Sequence, residues 1–404
     1  MAVNLQAPEK LLHVDGVRLS ACCAGMYPRQ RLDLVLIEFE PGTLCAGVFT
    51  QNSFSAAPVK IAKRHQQGNS PRYFVINAGN ANAGTGARGL ADAEEVCKAV
   101  AAIGACKTEN VLPFSTGVIG AILPVEKIIR HIPILHRNLD KEGWMDAAEA
   151  IMTTDTVLKG VSKTLEISGN QVTITGIAKG SGMIKPDMAT MLAFVATDIK
   201  TDQKTLATLL ENAVNVSFNR ISVDGDTSTN DACMLSATGT SGVRINPGND
   251  DYNTFEEALI EVFTTLAKSV IRDGEGATKF ITIIVQGGAS QQECLQAAYS
   301  IANSPLVKTA FFASDPNWGR ILAAVGRAGI TGLDIQSVEI LLDNLCLIRR
   351  GELSPDYSEE AGKAIMLQEE ISIIVRLGRG PAAATVWTCD LSHEYVQINA
   401  DYRT

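Results

Sequence analysis

At 404 residues the chain is about two to three times an ordinary domain length, so two lobes are expected rather than one. It is 46% apolar and 20% charged with a net charge of −9, a globular composition whose surface repels phosphate backbones and anionic headgroups. Nucleic acid and membranes are therefore not expected as partners, whereas a small anionic substrate needs only one or two local cations.

No apolar run reaches the ~18 residues that a membrane-spanning helix requires. The start, MAVNLQAPEKLLHVDG, has neither the charged-then-apolar order of a signal peptide nor the Arg/Ser bias of a transit peptide, so a cytoplasmic location is expected. The nine cysteines agree: their number is odd, Cys22 and Cys23 are adjacent, and none forms a CxxC pair, which reads as reduced thiols. The five histidines (13, 65, 131, 136, 393) show no HExxH spacing and no close pairing with cysteine. No metal is expected.

Strands and helices alternate along the chain, which places it in the α/β or α+β class. The first strand expected is Leu32–Phe39 and the next Tyr73–Ile76. GTGARG at Gly84–Gly89 fits the dinucleotide pattern GxGxxG, but NAGNANA separates it from the strand tip, so a Gly/Asn-rich turn is the better reading. A helix follows over Asp92–Ile103, with Ala93, Val96, Cys97 and Val100 on one face. STGVIG, at Ser115–Gly120, lies between the strand Val111–Phe114 and a helix that carries Ile128 and Ile129. It reads as a Thr-Gly turn, either plain or offering free backbone N–H groups to an anion.

The strand Val172–Ile177 leads into KGSGMIKPDMATMLAFVATD, residues 179 to 198. Its first half is a polar loop; its second half contains the apolar strand Met191–Ala196, and Thr190 sits on the seam. A threonine hydroxyl is a weak nucleophile until a base takes its proton, and no His or Asp pair is at hand. If the Ala189–Thr190 bond were broken, the new α-amine, with a pKa of about 8, would serve as that base. Thr190 thus reads either as a structural strand opener or as an N-terminal nucleophile. DGDTSTND, at Asp224–Asp231, has carboxylates two apart but lacks the glycine of a calcium loop, so side chain-to-backbone bonds in a tight turn are expected.

A helix over Thr254–Val270 is signalled by Phe255, Leu259, Val262, Phe263, Leu266 and Val270, with Thr254 and Glu257 spaced as a capping box. DGEGATK, at Asp273–Lys279, then stops it: Gly274 and Gly276 end the helix, and Glu275 reads equally as surface charge or ligand contact. The strands Phe280–Val285, Val338–Ile340 and Ser372–Leu377 follow, and Arg349–Gly362 reads as an exposed loop leading into a strand. A boundary near residue 285 would divide the chain into a larger lobe, 1–285, carrying the seam, and a smaller lobe, 286–404.

Taken together, KGSGMIKPDMATMLAFVATD, INAGNANAGTG, FSTGVIG, IMTTDT, SVDGDTSTNDACM, DGEGATK and DPNWGRILAAVGRAG closely resemble the ornithine acetyltransferase family, the bifunctional glutamate N-acetyltransferases of arginine biosynthesis. The resemblance runs from GVRLSA near residue 16 to the closing NADYRT. It implies a layered sheet-on-sheet sandwich flanked by helices, N-terminal-nucleophile-like, with a smaller C-terminal α/β lobe. It also implies an acyltransferase whose nucleophile is Thr190, freed by self-cleavage after Ala189 into chains 1–189 and 190–404. The oxyanion hole would be Thr116 and Gly117. Substrate contacts would be Lys179, Glu275, Asn399, Thr404 and a threonine of IMTTDT, assigned to Thr156 with Thr153 and Thr154 close by. The implied substrates are N-acetylornithine and glutamate, with acetyl-CoA a second donor in some members and no cofactor or metal. The implied assembly is a heterotetramer of two cleaved protomers. An amidase or aminopeptidase on the same scaffold, using the same freed threonine, is the alternative.

Overall fold

The computed structural model describes residues 2–68, 70–185 and 191–401. Through residue 237 its strands are β1 (Val17–Cys22), β2 (Leu34–Phe39), β3 (Leu44–Phe49), β4 (Tyr73–Asn80), β5 (Val111–Val118), β6 (Lys159–Ile167), β7 (Asn170–Lys179), β8 (Leu192–Thr197), β9 (Ile221–Ser222) and β10 (Ala232–Ala237). All but β9 sort into two sheets, β1-β2-β4-β5 and β3-β10-β8-β7-β6. β2 and β8, the runs LVLIEF and LAFVAT, are buried at every residue. Continuous apolar runs of this kind make strands that are covered on both faces.

One cover is the other sheet. Ile37, Phe74 and Phe114 from the first sheet and Ile177, Phe194 and Met234 from the second belong to a single core. Aromatic rings join the sheets: Phe114 meets Phe74 at 5.2 Å and Phe194 at 5.0 Å, both edge-on. Each such contact contributes ~0.5–1.5 kcal/mol beyond the area it buries. The outer face of the first sheet packs on the helices Gly86–Ile103 and Val125–Arg137 through Val96, Val100, Ile128 and Ile132. The outer face of the second packs on Gln203–Val216 and Asp250–Arg272. The result is four layers, helix–sheet–sheet–helix, which is the sandwich expected.

The C-terminal part builds a third sheet from β11 (Phe280–Gly288), β12 (Glu339–Leu342), β13 (Leu345–Arg349), β14 (Glu352–Leu353), β15 (Glu370–Arg376) and β16 (Ala382–Cys389). Its order is β14-β13-β12-β15-β11-β16-β9. β11 runs through residue 285 between β15 and β16. β9 comes from the sandwich part of the chain and pairs parallel to β16, Ile221 opposite Trp387, so the two parts share a sheet. Among the described residues no helix is long and apolar enough to cross a membrane. All nine cysteines are free.

Three local expectations change. The helix expected from Thr254 starts at Asp250, because the Asn249 side chain caps it by accepting from the Tyr252 amide at 2.8 Å; Thr254 therefore lies inside the helix. The segment Arg349–Gly362 is not one loop: it holds β14 and the start of the helix Glu359–Met366. Thr116 and Gly117 are not in a turn before a helix. They continue β5 to Val118, and the next helix begins only at Val125.

Phe74→Ala should lower unfolding stability by ~3–5 kcal/mol in urea titration, the usual cost of emptying an aromatic site in a packed core. Phe54→Ala, at a residue 76% exposed, should change it by less than ~0.5 kcal/mol.

Candidate active site

The antiparallel pairing of β7 with β8 puts Lys179 opposite Leu192, and the parallel pairing of β10 with β8 puts Ala232 opposite the same residue. The end of β7 and the starts of β8 and β10 therefore meet at one edge of the second sheet. The end of β5 meets them from the first. A cavity of about 240 Å³ opens there, with Thr116, Gly117, Lys179, Asp231, Glu275 and Asn399 on its wall.

Thr116 and Gly117 are held by a break in register between β4 and β5 at Gly79 and Asn80; such bulges re-aim the backbone at a strand end. Gly117 has φ +132°, and a Cβ there would collide with the Gly79 carbonyl carbon and lie 2.6 Å from the Asn80 nitrogen. Only glycine fits. The Lys179 ammonium donates to the Thr116 hydroxyl at 3.3 Å. Asn230, just before β10, ties the two sheets: its amide donates to the carbonyls of Ala81 at 2.6 Å and Ser115 at 2.9 Å.

Beneath the wall lies a fully buried ion triad. The Lys159 ammonium is 2.6 Å from Asp155 Oδ1 and 2.6 Å from Asp273 Oδ2. Asp155 also accepts from the amides of Thr153 at 3.0 Å and Gly180 at 2.7 Å. Asp273 accepts from the amides of Thr156 at 2.9 Å and Val157 at 3.2 Å. Three segments distant in sequence, around 153–157, 179–181 and 273–275, are thus pinned to one cation. Two further bonds close the bundle. The hydroxyls of Thr154 and Ser181 are 2.6 Å apart, and the Glu275 amide donates to the Ser181 carbonyl at 2.8 Å.

Burial pushes the Asp155 carboxyl up, but Lys159, Lys179 and the Thr153 amide together hold it well below the usual carboxylate range. Lys179 is half-buried. Its ammonium is pulled below the ordinary lysine value, first by desolvation; Asp155, Asp231 and Glu275 resist that shift and Lys159 adds to it.

The far wall is closed by the helix His393–Ala400. Asn399 donates to Glu275 Oε2 at 2.7 Å, and the Tyr395 hydroxyl donates to Asp224 Oδ2 at 3.2 Å. Asp224 also accepts from the amides of Met183 at 2.6 Å, Ile184 at 3.0 Å and Asp226 at 3.2 Å. The DGDTSTND segment thus makes the side chain-to-backbone bonds expected of it, and reaches well beyond its own turn.

The model of the ArgJ family matches residues 18–404. The chain belongs to the ArgJ family. It is 52% identical to the arginine biosynthesis bifunctional protein ArgJ of Methylococcus capsulatus over 396 residues, covering 98% of this chain and 97% of that one. With the protein of the same name from Psychrobacter arcticus the identity is 51% over 407 residues and all of both chains. With that from Pseudomonas fluorescens it is 49% over 406 residues, again all of both. The chain is an acyltransferase of arginine biosynthesis.

Of the residues that the ArgJ resemblance picks out, the fold brings Thr116, Gly117, Lys179, Glu275 and Asn399 to one cavity. It also brings Thr153 and Thr154 to the wall. Thr156 stands outside the lining, its hydroxyl donated to Asp273 and its side chain exposed. Ala189, Thr190 and Thr404 lie outside the described residues. Reading along the sequence misses Asp155, Lys159, Asp273 and Asp231. The four-residue spacing of Asp155 and Lys159 was the one local signal; the separation of 114 positions from Lys159 to Asp273 leaves none.

Lys159→Met should cost ~3–5 kcal/mol, because it strands two buried carboxylates. The deficit against the unaltered protein should grow as pH rises from about 4 to about 7. Asp155, held low by Lys159, contributes stability above the ordinary carboxylate range and loses it only in strong acid, whereas the variant must bury the same charge unpaired. Urea titrations across that pH range measure both.

Proposed function

We propose that the chain transfers an acetyl group from N-acetylornithine to glutamate through an acetyl ester on Thr190, after self-cleavage between Ala189 and Thr190. The observation that carries this reading is the cavity at the strand edge. Lys179 and Glu275 stand there together, one cation and one carboxylate, at the edge where β8 starts two residues beyond position 190. Such a pair matches the carboxylate and ammonium of an amino acid. The space, about 240 Å³, suits a small amino-acid derivative and not a polymer.

In the first half-reaction the Thr190 hydroxyl attacks the acetyl carbonyl and its α-amine takes the proton. Thr116 and Gly117 stabilise the tetrahedral oxyanion; loss of one such donor typically costs ~10²–10³ in rate. The C–N bond breaks, ornithine leaves, and the ester remains. In the second half the glutamate amine attacks the ester, and the Thr190 oxygen leaves with its proton restored. Glu275 is oriented for an ammonium by Asn399, which occupies one of its oxygens. Thr153 or Thr154 supplies the wall hydroxyl that Thr156 does not, and Thr404 the contact from the chain end. No cofactor or metal enters this chemistry, and acetyl-CoA is a second donor for the same ester. The working form is a cytoplasmic assembly of two cleaved protomers.

Mass spectrometry of the purified protein should give two polypeptides, 1–189 and 190–404. A single intact chain in folded protein overturns the nucleophile. N-acetylornithine should be deacetylated fast only when glutamate is present; acetate released equally fast without glutamate makes the enzyme an amidase. Thr190→Ala should abolish cleavage and turnover, and Thr190→Ser should keep part of each.

A further inference from the structure

Two lysines stand at the site and are held in opposite ways. Lys159 has a carboxylate oxygen at 2.6 Å on either side. Lys179, the last residue of β7, forms no ion pair among the described residues; its one hydrogen bond there runs to the Thr116 hydroxyl at 3.3 Å. That bond is only partly buried, and both residues line the cavity. A cation that serves a substrate carboxylate alone has no need of a neutral hydroxyl on the facing sheet, so the contact asks for a second task.

Chemistry fixes the direction of this bond. An ammonium has three N–H donors and no lone pair, so the hydroxyl oxygen must accept. The hydroxyl hydrogen then needs an acceptor of its own, and among the described residues Thr116 donates to none. It is left for the cavity, where the oxyanion would form. A hydroxyl whose oxygen already accepts from a cation is also the stronger donor, because hydrogen bonds in a chain polarise one another. Were Lys179 neutral, its nitrogen would offer a lone pair, and the same hydroxyl could turn round and donate to it.

Both ends of the bond are anchored. Lys179 is registered against Leu192 across β7 and β8, and the next amide, from Gly180, donates to Asp155 at 2.7 Å. Thr116 is registered against Ala78 and Asn80 of β4. The charged groups acting on the ammonium come from every side: Asp155 and Lys159 at the start of β6, Asp231 before β10, and Glu275 after the helix Asp250–Arg272. Desolvation favours loss of its proton, and the three carboxylates oppose that loss.

We propose that Lys179 is a positioning residue of the oxyanion hole: by donating to the Thr116 oxygen it turns the hydroxyl hydrogen toward the acetyl oxygen and strengthens it as a donor. No proton changes hands, and Lys179 makes and breaks no covalent bond. The task is additional to the carboxylate contact, and it rests on the ester mechanism above.

Acetylation by p-nitrophenyl acetate separates the two tasks, because this ester brings an acetyl group and no carboxylate. The Thr190 oxygen bonds the acetyl carbon, the hydroxyl proton passes to the α-amine, and nitrophenolate leaves with the electron pair. Lys179→Met should slow this step by ~10-fold or more, toward the ~10²–10³ of a lost oxyanion donor. An unchanged rate, with the loss confined to N-acetylornithine, leaves Lys179 a carboxylate contact alone and overturns the proposal. In a Thr116→Val background, which has no hydroxyl to polarise, Lys179→Met should cost less than about threefold further. A loss as large as in the presence of Thr116 makes the ammonium a bare charge and also overturns it. If mass spectrometry of the unaltered enzyme finds the acetyl group on a residue other than Thr190, the ester mechanism fails and the proposal with it. Should a variant remain uncleaved or unfolded, the unaltered enzyme decides. Its acetylation rate should rise as the α-amine loses its proton near pH ~8, then fall before about pH 10.4, the ordinary lysine value, as Lys179 loses its own. A rate that stays level to that pH in folded protein overturns the proposal.

Discussion

One buried ammonium holds the site together. Lys159 sits between Asp155 and Asp273, and through these carboxylates it fixes four backbone amides, three on the loop before β6 and one just past the end of β7. Burying three charges is costly, and an apolar cluster of the same volume often gives equal or better stability. What hydrocarbon does not supply is direction. Each carboxylate oxygen accepts along a defined line, so Thr154, Lys179 and Glu275 are set relative to one another by hydrogen bonds rather than by packing. A site that must discriminate a carboxylate from an ammonium needs that precision.

The same edge explains why the cavity lies where it does. Strand ends leave backbone groups unpaired, and in a two-sheet sandwich they also leave a gap between the sheets. Asn230 spans that gap, the bulge at Gly79–Asn80 turns Thr116 and Gly117 toward it, and the C-terminal helix closes it through Asn399 and Tyr395. β9 joins the C-terminal sheet, and Asp224, two residues beyond it, clamps Met183 and Ile184. The C-terminal part of the chain is thereby structural support for a site built mainly by the sandwich.

Much of this was legible residue by residue. MLAFVA and LVLIEF read as buried strands because nothing in them needs water. DGEGATK read as a helix stop because of its two glycines, and the helix does end just before it, at Arg272. The Thr254 capping box misled because Asn249, five residues upstream, offers the same acceptor to an amide that needs it. STGVIG read as a turn because serine, threonine and glycine favour turns, and the neighbouring strand overrode that preference by pairing through Gly117.

Composition and local pattern by themselves determined the class, the most apolar strands, the most strongly periodic helices and, through the motif segments, the family. These are properties of neighbours in the chain: periodicity, caps and breakers act over a few residues. Tertiary structure alone decided that Lys159 meets Asp273, that Asn399 meets Glu275, that Thr156 is drawn off to Asp273, and that Asp231 is buried at the start of β10 beside the cavity. Those facts depend on strand order and on which ends share an edge. A charge carries no mark of its partner until folding removes the water that would otherwise screen it.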